Sequence, residues 1–172
     1  MNASPEYAAI QTQFHIDRPD YGQSGHRYVE NILQIAGKMN TRDILDYGCG
    51  KATLQKSIPF PIQNFDPFMP EYSKPPVAAD LVVCTDVLEH VEPEFVGSVL
   101  RDIHALAKQA VFFQIASNAA QKFLPDGRNA HLIQENGNWW LDKLLPMFTI
   151  RQFQDIGTGM IVICTPIAAK VE

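Results

Sequence analysis

The 172-residue chain has few cysteines, no excess of positive charge and no long apolar run. Its three cysteines, Cys49, Cys84 and Cys164, are too few and too scattered for a disulfide framework or a paired CxxC metal knuckle. Cys84 and Cys164 sit inside apolar runs, where a free thiol behaves as a small hydrophobe. Reduced, buried thiols are the expectation, and with them a cytoplasmic setting. Lys and Arg number 14 against 19 Asp and Glu, a formal net charge of −5. A reader of duplex nucleic acid carries a basic footprint, so nucleic acid is disfavoured as a partner. No apolar stretch approaches the ~18 residues of a membrane-spanning helix, so a soluble protein without a membrane association is expected. The opening Met1-Asn2-Ala3-Ser4-Pro5-Glu6 shows no basic region followed by an apolar core, and no secretory signal is read there. What is present, 46% hydrophobic and 19% charged residues, suits one globular core, and a single domain over 1–172 is expected.

Residues 1–23 are polar and aperiodic and read as an N-terminal arm, with Pro19-Asp20-Tyr21-Gly22 as a turn. A helix is expected from Ser24 as N-cap, with Tyr28, Val29, Ile32, Leu33 and Ala36 on one stripe and Gly37 ending it. Asp43–Tyr47 reads as a short strand breaking into Gly48-Cys49-Gly50, and residues 52–58 as one or two helical turns stopped by Pro59 and Pro61. Ile62–Asp66 is a second strand. Residues 67–79 hold four prolines and read as an ordered loop. Leu81–Cys84 is a continuous apolar run of the kind buried on both faces of a sheet. A helix follows Pro93, with Val96, Val99, Leu100 and Ile103 on one face, and Ala110–Ala116 is another buried strand. Residues 117–138 are polar and turn-rich. A short helix over Trp139–Leu145 precedes an antiparallel strand pair, Phe148–Phe153 and Met160–Cys164. Strands alternating with helices imply an α/β sandwich of three layers, its sheet mainly parallel with one antiparallel C-terminal strand. Ligands of such sheets bind beyond the carboxyl ends of the strands, so the residues after Asp46, Phe65, Cys84 and Ile115 matter most.

The sharpest signal is Asp46-Tyr47-Gly48-Cys49-Gly50-Lys51-Ala52, directly after a strand. Alternate glycines let the backbone turn tightly and approach a ligand with no Cβ in the way. Asp66 lies 20 residues past Asp46, at the end of the next strand, where a carboxylate can accept both hydroxyls of a ribose. The dinucleotide fingerprint G-x-G-x-x-G/A fails because Thr53 holds its last position. A ligand with an adenosyl group but no pyrophosphate fits the spacing better.

Ile44–Gly50, then Asp66, then Ala79-Asp80-Leu81-Val82-Val83-Cys84-Thr85-Asp86-Val87-Leu88-Glu89-His90-Val91 together resemble the class I S-adenosylmethionine-dependent methyltransferases, most of all their small-molecule branch. The resemblance runs from about residue 21 to 165. It implies a Rossmann-like sheet with S-adenosyl-L-methionine at the Gly48–Gly50 loop, main-chain amides of that loop cradling the nucleoside, and Asp66 on the ribose. It also places Asp46, Cys49 and Pro67 around the donor, Thr85, Asp86 and Val87 beside its methionine or adenine, and Tyr21 closing over it. The implied reaction is in-line methyl transfer to an unidentified small molecule, with S-adenosyl-L-homocysteine as product. A non-catalytic adenosylmethionine-binding module or accessory subunit on the same fold is the alternative.

Two departures stand out. Ala52 replaces a third glycine, and only the 13 residues 67–79 separate Asp66 from Asp80, where the family fits a further strand and helix. A sheet pared to six strands follows, with one edge strand missing and an edge that a second subunit of a homodimer could cover. Beyond the donor site, Asp86-x-x-Glu89-His90 would share a helical face. That spacing admits a metal or an acid–base pair, but a lone pattern assigns no metal, and Glu89 reads better as structural. His90 is a candidate base facing the acceptor. His131 lies in the 117–138 insertion, the region where such enzymes carry acceptor-contacting elements, and is the second candidate catalytic residue, with Arg128 beside it. Trp139-Trp140 reads as core.

Overall fold

The structure is a computed structural model and describes residues 2–168. Met1 of the expected arm and residues 169–172 of the expected domain lie outside them. The strands are β1 (Ile44–Tyr47), β2 (Gln63–Phe65), β3 (Ala79–Thr85), β4 (Ala107–Ala116), β5 (Phe148–Asp155) and β6 (Gly159–Pro166). They form one sheet in the order β2-β1-β3-β4-β6-β5. β1 pairs in parallel with β2 and β3, and β3 with β4. β6 runs antiparallel to both β4 and β5, because the turn around Gly157 returns the chain without a crossover. The pared Rossmann-like sheet is therefore present, six strands with one antiparallel.

Two sets of side chains alternate along each central strand and build the layers. Leu81 and Val83 of β3 face a cluster with α2 (Val29–Met39) and α3 (Thr53–Ser57), through Ile32, Ala36 and Leu54. Val82 and Cys84 face the other side, packing with α4 (Val96–Leu106) and α5 (Gly137–Leu144) through Val99, Leu100, Ile103, Trp140 and Leu144. Trp140 is fully buried in that core, with Trp139 packed edge-on against it. Both sheet faces are thus covered, which is why β3 reads as an unbroken apolar run.

β2 is the edge, for a physical reason. The chain after it turns back at once: the Asp66 amide donates to the Tyr72 carbonyl at 3.1 Å, Pro70–Tyr72 make one 3-10 turn, and the Val77 amide donates to Gln63 Oε1 at 3.2 Å. Nothing remains to build another strand.

The N-terminal arm is a correction. Residues 5–17 are not aperiodic but form helix α1 (Pro5–Asp17). Ser4 caps it, its Oγ accepting from the Tyr7 amide, and Pro5 occupies the first turn. Its buried residues, Tyr7, Gln11, Phe14 and His15, do follow helical spacing, but two are polar, so the stripe does not register as apolar. Tyr7 and Phe14 pack with Leu124 and Ala130 from the 117–138 segment. A second correction concerns α2, which begins after a 3-10 turn at Gly25–Tyr28 and runs past Gly37 to Met39. Asn40, in the left-handed conformation, ends it, as an asparagine can.

The Glu92 carboxylate accepts from both the Ser4 amide and the Ser4 hydroxyl at 2.8 Å, tying the start of α1 to the chain after β3. Ser4→Ala is expected to cost about 1 kcal/mol, read as faster amide exchange over residues 5–17 while β3 stays protected; unchanged exchange there would refute the cap. His15 is 7% exposed, and burial, with Lys51 nearby, pushes its pKa down to about 4. The folded state therefore binds its proton less readily than the unfolded chain. The stability this gives is complete above about pH 6.5 and is lost as pH falls toward 4. Relative to the wild type, His15→Gln should flatten the fall in unfolding free energy across that window by roughly 2–3 kcal/mol. Parallel curves would show that His15 takes up its proton alike in the folded and unfolded states.

Candidate active site

From β1 the chain adds β2 on one side and then crosses to add β3 on the other, so the strand order reverses between β1 and β3. Such a reversal opens a crevice at the carboxyl ends. The loop after β1 enters it as Gly48 (φ +80), Cys49 and Gly50 (φ +49). Two close approaches demand those glycines. A Cβ on Gly48 would lie 2.4 Å from Val87 Cγ2, and one on Gly50 would lie 2.5 Å from the Gly22 carbonyl oxygen. Ala52, at the position of the third glycine, adopts φ +51, a left-handed conformation that costs an alanine roughly 1 kcal/mol.

The loop's amides correct one expectation. Gly48 and Cys49 donate to the Phe65 carbonyl at 2.7 and 3.0 Å, Gly50 to Asp66 Oδ2 at 3.0 Å, and Lys51 to the Gly22 carbonyl at 2.9 Å. These donors are satisfied within the protein. The loop offers a ligand room and acceptors, not a row of free N–H groups.

A cavity of about 610 Å³ opens on this loop. Asp46, Gly48, Cys49, Gly50 and Asp66 line its floor, with Pro67 beside them. Thr85, Asp86 and Val87, from the end of β3, form one wall, and Tyr21 lines the cavity too, its ring edge-on to that of His90 at 5.7 Å. His90 and His131 line it as well. The sequence-nominated residues are thus brought together.

Buried carboxylates dominate the electrostatics of the floor. Asp66 is 5% exposed; besides Gly50 it accepts from the Phe68 amide through Oδ1 at 2.9 Å, while burial raises its pKa. Asp46 is 2% exposed and its Oδ2 has no partner; burial, then Asp66, push its pKa up to about 7. Such a pair attracts a cation strongly.

At the other end, Asp86-x-x-Glu89-His90 does not share a helical face. Asp86 is left-handed (φ +59) and Leu88–His90 form a 3-10 turn. Glu89 is fully buried, its Oε1 accepting from the Ala116 amide at 2.8 Å, and burial with Asp86 raises its pKa well above the ordinary range. His90 Nδ1 lies 2.7 Å from the Ala130 carbonyl, and His131 Nδ1 lies 2.6 Å from that of Asn118. A carbonyl only accepts, so each Nδ1 carries a proton, and in the neutral ring it is Nε2 that holds the lone pair. Burial, then His131, push the His90 pKa down to about 4. The two rings meet edge-on at 4.8 Å.

Several cavity residues were not nominated by sequence. Tyr7, Gln11 and His15 of α1 line it, as does Asn118. Tyr21 Oη donates to Gln11 Oε1 at 3.2 Å, Gln11 Nε2 to Tyr7 Oη at 2.6 Å, and Tyr7 Oη to the His90 carbonyl. That chain hangs α1 and Tyr21 on the histidine turn. The usable signal was the Ser4-Pro5 helix start and the spacing Tyr7, Gln11, Phe14. Arg128 lies outside the cavity, paired with Asp126 at 2.7 Å and stacked over the Tyr7 ring.

Residues 21–158 match the family model described as a methyltransferase domain. The chain belongs to that family; it is a class I S-adenosylmethionine-dependent methyltransferase. A comparison with curated proteins finds no match. Among solved structures, the 1,6-didemethyltoxoflavin N1-methyltransferase of Burkholderia thailandensis, with bound 1,6-didemethyltoxoflavin and S-adenosylhomocysteine, is similar at 18% identity and a TM-score of 0.66, over 96% of this chain and 92% of that one. The magnesium protoporphyrin IX methyltransferase of Synechocystis PCC 6803, with bound S-adenosylmethionine, is similar at 14% identity and 0.62, over 97% and 100%. The 16S rRNA methylase RmtB is similar at 17% identity and 0.54, over 97% and 77%. At these identities the likeness is one of fold.

Gly48→Ala should lower stability by about 2–5 kcal/mol, through left-handed strain of ~1–2 and overpacking of ~1–3. Adding Val87→Ala removes the methyls in the way and should restore the overpacking part alone, measured by urea unfolding. No recovery in the double variant would mean that Val87 does not set the loop's position.

Proposed function

We propose that the cavity holds S-adenosyl-L-methionine along the Gly48–Gly50 loop and that the protein passes its methyl group to a small-molecule acceptor, releasing S-adenosyl-L-homocysteine. The observation that carries this reading is the buried Asp46–Asp66 pair, with Asp46 Oδ2 left without a partner. The donor brings an ammonium and a sulfonium, the charges this floor lacks. Asp66 keeps lone pairs beyond its two amide bonds, enough for two ribose hydroxyls. Cys49, Pro67, Thr85, Asp86 and Val87 flank the nucleoside and its tail, and Tyr21 closes over them.

Methyl transfer from a sulfonium is an in-line displacement in which holding nucleophile and methyl together supplies much of the acceleration. His90 and His131 are the residues we assign to the acceptor's proton, since each keeps an unprotonated Nε2. A small acceptor is supported by the net charge of −5 and by the enclosure that α1 and the 117–138 segment give the cavity. Two of the similar structures are methyltransferases of 1,6-didemethyltoxoflavin and magnesium protoporphyrin IX; a third is an rRNA methylase. We read 1–172 as one methyltransferase domain with 117–138 as its acceptor-facing insertion. We assign the outer edge of β2 to a second copy in a homodimer. Among the described residues no helix is long and apolar enough to cross a membrane, and the three free, buried cysteines suit a cytoplasmic setting.

Calorimetry with S-adenosylhomocysteine tests the reading. The wild type should bind it, and Asp66→Ala should weaken that binding by about 1.5–3 kcal/mol, the range for hydrogen bonds to a charged group. No heat up to millimolar ligand would end the proposal.

A further inference from the structure

At the cavity wall made by the end of β3 stands a group of side chains that the donor reading uses only through Asp86. Asp86, Glu89 and His131 each place one potential ligand atom within 4.8 Å of the others. Asp86 stands at the end of β3, its amide bound to the Gln114 carbonyl at 3.0 Å. Glu89 is fully buried, with one oxygen fixed by the Ala116 amide and Oε2 without any partner. A carboxylate oxygen buried without a donor is unfavourable by itself and is satisfied by a cation placed between it and its neighbours. His131 is oriented as metal-bound imidazoles are: its Nδ1–H donates to the Asn118 carbonyl, which fixes the ring and raises the basicity of Nε2.

We propose that Asp86, Glu89 and His131 bind one divalent cation at the acceptor end of the cavity. Two carboxylates with one imidazole suit Mn²⁺ or a similar borderline ion better than a soft-metal site, which would draw on thiolates. Three protein ligands leave coordination positions open toward the cavity that Asp86 and His131 line. Val87, next to Asp86, is the residue packed against Gly48, so the cation stands one residue from the donor loop. An acceptor hydroxyl bound to it would lose its proton more readily. The acceptor class this selects is a hydroxyl compound able to coordinate a metal. Its oxygen attacks the methyl carbon, the S–CH3 bond breaks as the O–CH3 bond forms, neutral S-adenosylhomocysteine leaves, and one proton is released per turnover. In this arrangement His131 acts through the metal and His90 is the imidazole left facing the acceptor. The chemical half of the inference rests on the transfer reading above; the binding half does not.

The full chain, stripped with a chelator, is titrated with Mn²⁺, and free ion is counted by electron paramagnetic resonance. One ion per chain should bind, and Asp86→Asn, Glu89→Gln and His131→Gln should each weaken it roughly tenfold or more. These variants keep the left-handed turn and the Ala116 hydrogen bond within reach, and an unchanged circular-dichroism spectrum with a single cooperative unfolding transition certifies their fold. Wild type that binds S-adenosylhomocysteine but not Mn²⁺, or variants that bind Mn²⁺ as tightly as wild type, would overturn the metal site and leave the transfer reading standing. Wild type that binds Mn²⁺ at these residues but no S-adenosylhomocysteine would keep the site and remove the methyl-transfer chemistry assigned to it.

Discussion

Two backbone approaches too close for any side chain govern the crevice: Gly50 against Gly22, and Gly48 against Val87. The first docks the Tyr21–Ser24 strap onto the loop after β1, and the Lys51 amide holds it there through the Gly22 carbonyl. The second docks the end of β3 onto the same loop. Three segments distant in sequence are thereby fixed around one point. The loop's amides are consumed in that fixing, by Phe65, Asp66 and Gly22. The crevice is consequently shaped by contacts among its own walls, and acceptor oxygens are what it presents to a ligand. That inverts the usual picture of a glycine loop as a nest of donors.

An acceptor-lined crevice selects for charge. Strand ends deliver Asp46, Asp66 and Asp86, while the turn after β3 adds Glu89 beneath them. The spacing separates two neighbourhoods. Asp46 and Asp66 lie beside the glycines. Asp86 and Glu89 lie beside His131. Two groups of carboxyls therefore stand at the cavity, Asp46 with Asp66 and Asp86 with Glu89 behind it.

The donor half was legible in the sequence because it is built from strand ends. Asp46, Gly48 and Gly50 belong to the apolar run of β1 and the turn after it, Asp86 follows that of β3, and Asp66 was found by its distance from Asp46; parallel pairing puts all these strand ends at one edge of the sheet. The acceptor half was legible only in part. His90 and His131 were nominated, but α1 was read as an aperiodic arm, because Gln11 and His15 interrupt its buried stripe. Those polar residues are buried through partners that sequence does not reveal, Gln11 between two tyrosine hydroxyls and His15 against the Tyr21 ring. The helical face expected for Asp86 to His90 failed for a local reason. The chain leaves β3 with a left-handed residue and then makes only a 3-10 turn, so i,i+3 and i,i+4 reasoning has no helix to act on.

The shortened edge of the sheet and the N-terminal helix belong together. Without a strand beyond β2, the chain after Asp66 turns back immediately and leaves Pro67 and Phe68 at the cavity. Phe68 then meets Tyr7 of α1 edge-on at 6.2 Å, in the same cluster as Phe14, Leu124 and Ala130. α1 thus packs against the returning chain and against the 117–138 segment at once, and through Tyr7 it also reaches the His90 carbonyl. A shorter sheet would by itself leave the crevice more open to water. The helix supplies the missing wall with Tyr7, Gln11 and His15, so the same packing that closes the crevice on this side also sets the position of the histidine turn.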